Sequence, residues 1–199
     1  MLKRRARFAR LVLAGAAAAA VVYIVALLGL SAASREQVAG RGDEKYFCEV
    51  DCHLAYSVLG VSEARSLGSG GDRAAARGVF RVVTLRVRFD EDTISSHRAR
   101  DLPLTPTPRL VRIVDSSGAA YPIDPAGQKA LEAAEGEEIP LSRPLKAGES
   151  YRTRLVFDLP EEARDPRLLL TEDSLVTRVL IGHENSLFHR KVFFAAALF

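Results

Sequence analysis

The sequence has no tryptophan, one methionine and two cysteines among its 199 residues. The missing tryptophan excludes the Cys…Trp…Cys core of a true immunoglobulin domain. Two cysteines are too few for the disulfide framework of a small secreted scaffold. The methionine is Met1, so a folded domain has no methionine to offer as an axial haem ligand. The Gly-x-Ser-x-Gly motif is absent and we find no other catalytic motif, so we expect no enzymatic activity.

A long uncharged run lies near the N-terminus, from Leu11 to Leu30. As a helix, this run is about 30 Å long, which matches the hydrocarbon core of a bilayer. Five basic residues precede it: Lys3, Arg4, Arg5, Arg7 and Arg10. Such a cluster stays in the cytoplasm, so the chain after the run should be exported. A cleaved signal peptide is the alternative, because Ser31-Ala32-Ala33 offers a small-residue cleavage site. The run is longer than the apolar region of a usual signal peptide, which favours an uncleaved anchor.

The net charge of +3 is unevenly distributed. The five basic residues before the run contribute +5, so the chain after Arg10 carries +3 minus 5, or −2. Positive charge therefore flanks the membrane span and gives no reason to expect nucleic-acid binding. We predict a cytoplasmic segment (1–10), a transmembrane helix (11–30), a linker (31–44) and an extracytoplasmic domain (45–199). The protein should be a single-pass protein of the cell membrane, with a protein partner at the cell envelope.

Beyond the linker, apolar and polar residues alternate with the period of a β-strand. The clearest strands are Val79–Asp90 and Tyr151–Leu159, and a hairpin is expected where Arg109–Val114 and Ala119–Ile123 flank a turn. About seven or eight short strands predict an all-β, immunoglobulin-like antiparallel β-sandwich after the membrane helix. The sequence also predicts a helix at Ala126–Glu135, a mobile loop at Gly60–Arg77 and a short strand at Leu175–Ile181.

Four short segments carry a resemblance to a known group of domains. They are Asp115-Ser116-Ser117-Gly118 before Tyr121, Leu145-Lys146-Ala147-Gly148-Glu149-Ser150, Val156-Phe157-Asp158-Leu159-Pro160 and Ile181-Gly182-His183-Glu184-Asn185-Ser186. In these segments the chain resembles bacterial exported domains with a telokin-like, immunoglobulin-like sandwich, most of which lack an assigned function. The resemblance covers roughly residues 46–199. It implies a fold and an exported location, and it supplies no catalytic residues.

Both cysteines lie in Lys45–Val58, which alternates as a single half-buried strand would. In a regular strand Cys48 and Cys52 would be about 13 Å apart. That separation is too large for a disulfide, which needs Cα atoms within about 7 Å. His53 would point to the face opposite both cysteines.

The sequence leaves four hypotheses open for the cysteines. They could be buried core residues, or a local disulfide between Cys48 and Cys52 across a distorted segment. They could bind a metal, with copper as the candidate cofactor and Cys48, Cys52, His53, His183 and His189 as its ligands. Covalent haem needs two residues between the cysteines, whereas three are present here. Apart from copper, no cofactor is expected.

Arginines alternate along two of the predicted strands, and they would form a basic stripe if those strands pair. They are Arg86, Arg88, Arg152 and Arg154. An ordinary solvated sheet face explains them more simply. The function predicted from the sequence is a membrane-anchored binding or accessory module. The alternative is a copper-binding or thiol redox accessory protein that uses Cys48, Cys52 and His53.

Overall fold

The computed structural model describes residues 2–49, 51–172 and 174–197. Its elements are α1 (Leu2–Ala33), β1 (Gln37–Ala39), β2 (Lys45–Cys48), β3 (His53–Leu67), β4 (Ala74–Asp90), β5 (Arg109–Val114), β6 (Ala120–Pro122), α2 (Pro125–Glu135), β7 (Ser150–Leu159), β8 (Arg167–Glu172) and β9 (Val192–Ala195). The chain divides into two compact units. The helix unit comprises Met1–Glu36 and Ser174–Lys191, and the sandwich unit comprises Gln37–Asp173 and Val192–Phe199.

The sandwich unit contains two β-sheets. One has the strand order β1-β9-β8-β5-β6, and the other has the order β2-β3-β4-β7. Neighbouring strands are antiparallel except β1 and β9, which are parallel. The predicted two-sheet sandwich is therefore confirmed. The description of the chain as all-β is too narrow, because α1 and α2 add substantial helix.

The core lies between the two sheets and follows the alternation of the strands. Along β4, four side chains that point inward are fully buried: Val83, Leu85, Val87 and Phe89. They belong to one apolar cluster with Ile113, Leu168, Leu170 and Phe194 from the other sheet. Each such side chain contributes about 1.5–3 kcal/mol by leaving water. The period-2 pattern of Val79–Asp90 therefore predicted both the strand and its buried face.

Helix α2 covers one end of the outer face of the four-stranded sheet. Asp124 caps its N-terminus, because a carboxylate oxygen accepts the Gly127 backbone N–H at 2.6 Å. Gly136 ends the helix with φ +99°, a conformation that suits glycine. The helix packs Leu131 on Phe80, Val82 and Val156, which form a second, smaller cluster. The helix predicted at Ala126–Glu135 is confirmed to within one residue.

The prediction of a mobile loop at Gly60–Arg77 is wrong. Strand β3 continues to Leu67 and β4 begins at Ala74, so only a short connection with a 3-10 helix at Gly70–Asp72 lies outside the strands. The small and polar residues here have weak strand propensity, but pairing with a neighbouring strand overrides it. Glu63 lies opposite Arg81 in the register, and their side chains form an ion pair at 2.5 Å.

In the helix unit, α1 is long and apolar enough to cross a membrane over Arg7–Ala33, a property that signal sequences share. The second part of the unit, Ser174–Lys191, is irregular. The strand predicted at Leu175–Ile181 is wrong, since the segment contains turns and a short 3-10 helix at Thr177–Val179. Within this unit, the Tyr23 hydroxyl donates to the Val179 carbonyl at 2.5 Å. The Arg190 backbone N–H donates to the Ser34 hydroxyl at 2.8 Å.

Candidate functional site

The segment that holds the cysteines is a hairpin, so the prediction of a single strand is wrong. Strand β2 pairs antiparallel with β3, with Phe47 opposite Leu54 and Cys48 opposite His53. In this register an odd-numbered residue of β2 is paired with an even-numbered residue of β3, and paired residues project to the same face of the sheet. The inward-facing residues are therefore odd-numbered in β2 and even-numbered in β3. Lys45, Phe47 and Glu49 are therefore buried. The alternation of the sequence is continuous through the turn, so it did not indicate that the chain reverses there.

The two cysteines lie on opposite faces of the hairpin. Cys48 is exposed and Cys52 is buried, and both are free thiols in the structure. The hypothesis that both cysteines are buried core residues is therefore confirmed for Cys52 and wrong for Cys48. Burial, and to a smaller extent the neighbouring Asp51 carboxylate at 3.4 Å, raises the pKa of the Cys52 thiol to about 12. Because the thiolate is the nucleophile, Cys52 should be inert at neutral pH.

The proposed copper ligands are divided between the two units. Cys48 and His53 are register partners on one face of the hairpin, whereas Cys52 faces the core. His183 and His189 belong to Ser174–Lys191 of the helix unit. The His183 ring accepts the Asn185 backbone N–H at 3.0 Å. In the described part of the chain, no three His, Cys, Asp or Glu side chains form a group that could hold a metal. The copper site stays a prediction.

A buried ion pair that was not predicted from the sequence links the hairpin to the five-stranded sheet. Arg109 begins β5, and its guanidinium binds the Glu49 carboxylate. Their side chains are 1% and 4% exposed. Thr107 donates both its backbone N–H and its hydroxyl to the same carboxylate. The guanidinium also lies 4.5 Å from the centre of the Phe47 ring, within the range of a cation–π contact.

The outer face of the four-stranded sheet carries a second ion cluster around Glu44. Arg88 binds this carboxylate with two nitrogens, at 2.7 and 3.0 Å, and Arg86 binds it at 2.8 Å. Tyr46 donates its hydroxyl at 2.7 Å. The hydrogen bonds from Arg88 hold the pKa of Glu44 near 2, well below the ordinary value. Glu44 is therefore ionised at every physiological pH and neutralises part of the positive charge of this face.

The predicted basic stripe is present, because β4 and β7 pair and place Arg86 directly opposite Arg152. Like charges directly opposite each other are destabilising unless each has a partner. Arg86 and Arg88 share Glu44, and Arg154 binds Glu135 and Glu138. The side chain of Arg152 is exposed and makes no ion pair among the described residues.

Between α2 and the Glu44 cluster, the outer face forms an open groove with a volume of 550 Å³. Its lining residues are Arg41, Gly42, Leu59, Gly60, Thr84 and Arg152. Arg41, like Arg152, is exposed and makes no ion pair among the described residues. Two cations therefore flank a hydroxyl and two glycines, where the backbone is open to approach. We call this surface the arginine groove.

No protein-family model matches the chain, and neither does any curated protein. The structure is similar to a conserved hypothetical protein from Bacillus anthracis, with 20% identity, TM-score 0.46, and 66% of this chain and 88% of that chain covered. It is similar to the secreted protein MPT63 from Mycobacterium tuberculosis, with 11% identity, TM-score 0.49, and coverage of 81% and 97%. A third is an uncharacterised β-sandwich protein from Clostridium difficile 630, with 9% identity, TM-score 0.44, and coverage of 82% and 97%. The chain is thus similar in fold to uncharacterised and secreted bacterial proteins, and nothing beyond the fold is carried over from them.

Proposed function

We propose that this protein is a membrane-anchored extracytoplasmic binding or accessory module of the immunoglobulin-like exported type. Helix α1 is its single membrane span, the basic N-terminus stays in the cytoplasm, and the sandwich unit faces outward. The arginine groove binds an acidic segment of a protein partner at the cell envelope. The observation that supports this proposal is the charge imbalance at Arg152, which lies beside Arg86 without a carboxylate of its own.

An acidic segment would remove this imbalance. A carboxylate between Arg41 and Arg152 would accept charge-assisted hydrogen bonds from both guanidinium groups, which are stronger than bonds between neutral groups. Glycines at the floor allow an extended chain to approach the sheet closely. Because the groove is open to solvent, salt screens the attraction. The expected interaction is therefore of moderate strength and sensitive to ionic strength.

The test measures binding of a fluorescein-labelled hexaglutamate peptide to the full chain in detergent. Arg152→Gln and Arg41→Gln should each weaken binding by roughly fivefold, the loss of one charge-assisted hydrogen bond. Arg112→Gln is the matched control, because Arg112 is an exposed arginine on β5, in the other sheet. Its affinity should stay near that of the unaltered protein. Equal affinity of the Arg152→Gln and Arg112→Gln proteins would exclude the groove as the binding site.

One observation favours a second function, that of a copper-binding or thiol redox accessory protein. Cys48 and His53 are register partners at the end of the hairpin, so an exposed thiol lies beside a half-buried imidazole. Cys52 faces inward, so the pair offers two ligands and needs others from a partner or a second copy of the chain.

Copper titration of the full chain, followed by metal analysis after gel filtration, tests this second function. If side chains of the hairpin bind copper, the unaltered protein should retain the metal and the Cys48→Ser protein should lose it. Cys52→Ala should retain it, because Cys52 points away from the pair. Retention by the Cys48→Ser protein would mean that copper binds elsewhere, and absence of copper from the unaltered protein would remove this function.

A further inference from the structure

The segment Ser174–Lys191, which we call the apolar segment, carries an unusual number of large apolar side chains on its surface. Seven are exposed: Leu175, Val176, Val179, Leu180, Ile181, Leu187 and Phe188. Leu175 and Phe188 are each 76% exposed. In the described part of the sandwich unit the exposed large apolar side chains are scattered, at Val38, Tyr46, Leu102 and Leu110. A concentrated patch of this kind marks a surface that another apolar phase covers.

Several uncharged polar groups of the apolar segment bond to one another or to the backbone of the segment. Asn185 donates its side-chain amide to the Thr177 hydroxyl at 2.9 Å, and Thr177 donates to the Ser174 carbonyl at 2.9 Å. Ser186 is buried, and its hydroxyl donates to the Leu180 carbonyl. The Leu187 backbone N–H closes the loop on the Arg178 carbonyl at 3.0 Å. Internally bonded polar groups and exposed apolar groups reverse the pattern of a water-exposed loop, and irregular backbone needs such internal partners at membrane depth.

The contacts of the apolar segment with α1 show how far along the membrane helix the segment extends. Arg190 bonds to Ser34, just beyond the end of α1. Val179 bonds to Tyr23, which precedes the end of the uncharged run at Leu30 by seven residues. Seven residues are about 10 Å along a helix. The segment therefore follows α1 from the level of its end to about 10 Å below the end of the uncharged run.

The backbone at Phe188 gives independent support. Its φ of +63° is unfavourable for a bulky residue that is not glycine. Such a conformation persists only where the surroundings impose it. Here it places a phenylalanine outward at 76% exposure, and the cations Arg190 and Lys191 follow after His189. An aromatic side chain beside basic residues is typical of a segment that lies at a membrane interface.

We propose that the apolar segment is a second membrane-binding element, which inserts into the outer leaflet of the bilayer that α1 spans. The inference rests on the proposed membrane anchor. Lipid covers the segment: acyl chains contact the seven apolar side chains, and anionic headgroups contact Arg190 at the level of the end of α1. The insertion depth of about 10 Å agrees with the depth of interfacial elements.

The experiment uses the full chain in vesicles of phosphatidylcholine and phosphatidylglycerol. Cys48→Ser removes the exposed thiol, and a single new cysteine then carries an environment-sensitive fluorophore. Leu175→Cys and Phe188→Cys report on the apolar segment. Leu102→Cys is the matched control, because Leu102 is 54% exposed in the sandwich unit. Ala17→Cys, in the middle of the uncharged run, reports on the anchor itself. Lipids brominated on their acyl chains serve as the quencher.

We expect labels at Leu175 and Phe188 to have blue-shifted emission and to lose at least about twofold more fluorescence to brominated lipid than the label at Leu102. If the label at Ala17 is quenched while those at Leu175 and Phe188 behave like the one at Leu102, the anchor stands and this inference fails. Labels shielded from water but not quenched by lipid would mean that protein covers the segment, which also overturns it. An unquenched label at Ala17 would remove the anchor, and the inference with it.

Discussion

Arg109→Met should lower the free energy of unfolding by about 3–5 kcal/mol, because it leaves the Glu49 carboxylate buried without its cation. The two side chains are 1% and 4% exposed, so water cannot replace the lost partner. Arg109 also lies 3.6 Å from Glu172, its register partner on β8 of the same sheet, which would lose a neighbouring cation as well. Glu49→Gln should destabilise the protein by a similar amount, since it leaves the guanidinium without its nearest anion.

The effect can be separated from a general loss of arginine on β5. Arg112→Met is the matched control, and as an exposed substitution it should change the unfolding free energy by less than about 0.5 kcal/mol. The double variant Glu49→Leu with Arg109→Met should be more stable than Arg109→Met alone, because the Glu49 carboxylate is no longer buried without its cation. Urea unfolding in detergent, followed by circular dichroism, gives all four values. A similar loss in Arg109→Met and Arg112→Met would contradict the buried pair.

The second prediction with a large expected effect concerns the membrane topology of the chain. Labelling of a cysteine in intact spheroplasts should be either complete or absent, depending on the side of the membrane on which it lies. If α1 spans the membrane with its basic end in the cytoplasm, Cys48 faces the outside while Phe8 faces the inside. Cys48 is exposed, so a membrane-impermeant maleimide should modify it in washed spheroplasts. Cys52 does not interfere, because it is buried and its pKa is raised to about 12.

Two variants control this measurement. Cys48→Ser should abolish the labelling, since only the inert Cys52 thiol remains. Phe8→Cys in the Cys48→Ser protein should be labelled only after lysis, because the residue precedes the uncharged run and is 70% exposed on α1. An equal response of both positions before lysis would mean that the spheroplasts are leaky and not that the protein is inverted.

Local signals in the sequence were enough for several elements. The alternation of Val79–Asp90, the turn between Val114 and Ala120, and the Gly136 stop of α2 each lie within a few residues of the structure they predict. In each of them the burial pattern or the turn chemistry is a property of neighbouring residues. The pairing of the two arginine-bearing strands was only a condition in the sequence, and the structure meets it with Arg86 opposite Arg152.

Long-range features could not be predicted in this way. The turn between Cys48 and His53 has no glycine, proline or asparagine, so the chain reversal carried a weak sequence signal. The partner of Glu49 is 60 residues away, and a single strand over Lys45–Val58 would put Glu49 on its polar face. The apolar residues of Leu175–Ile181 predicted a strand, although their exposure and the bond from Tyr23 to Val179 link them to the membrane helix.

The measurement that most directly tests the central claim is the labelling of Cys48 in washed spheroplasts. An anchored, outward-facing sandwich predicts that Cys48 reacts as fully before lysis as after it, in protein that stays with the membrane through the wash. Labelling that appears only after lysis would place the sandwich in the cytoplasm. Loss of the protein to the wash would show that α1 is removed or does not span the membrane.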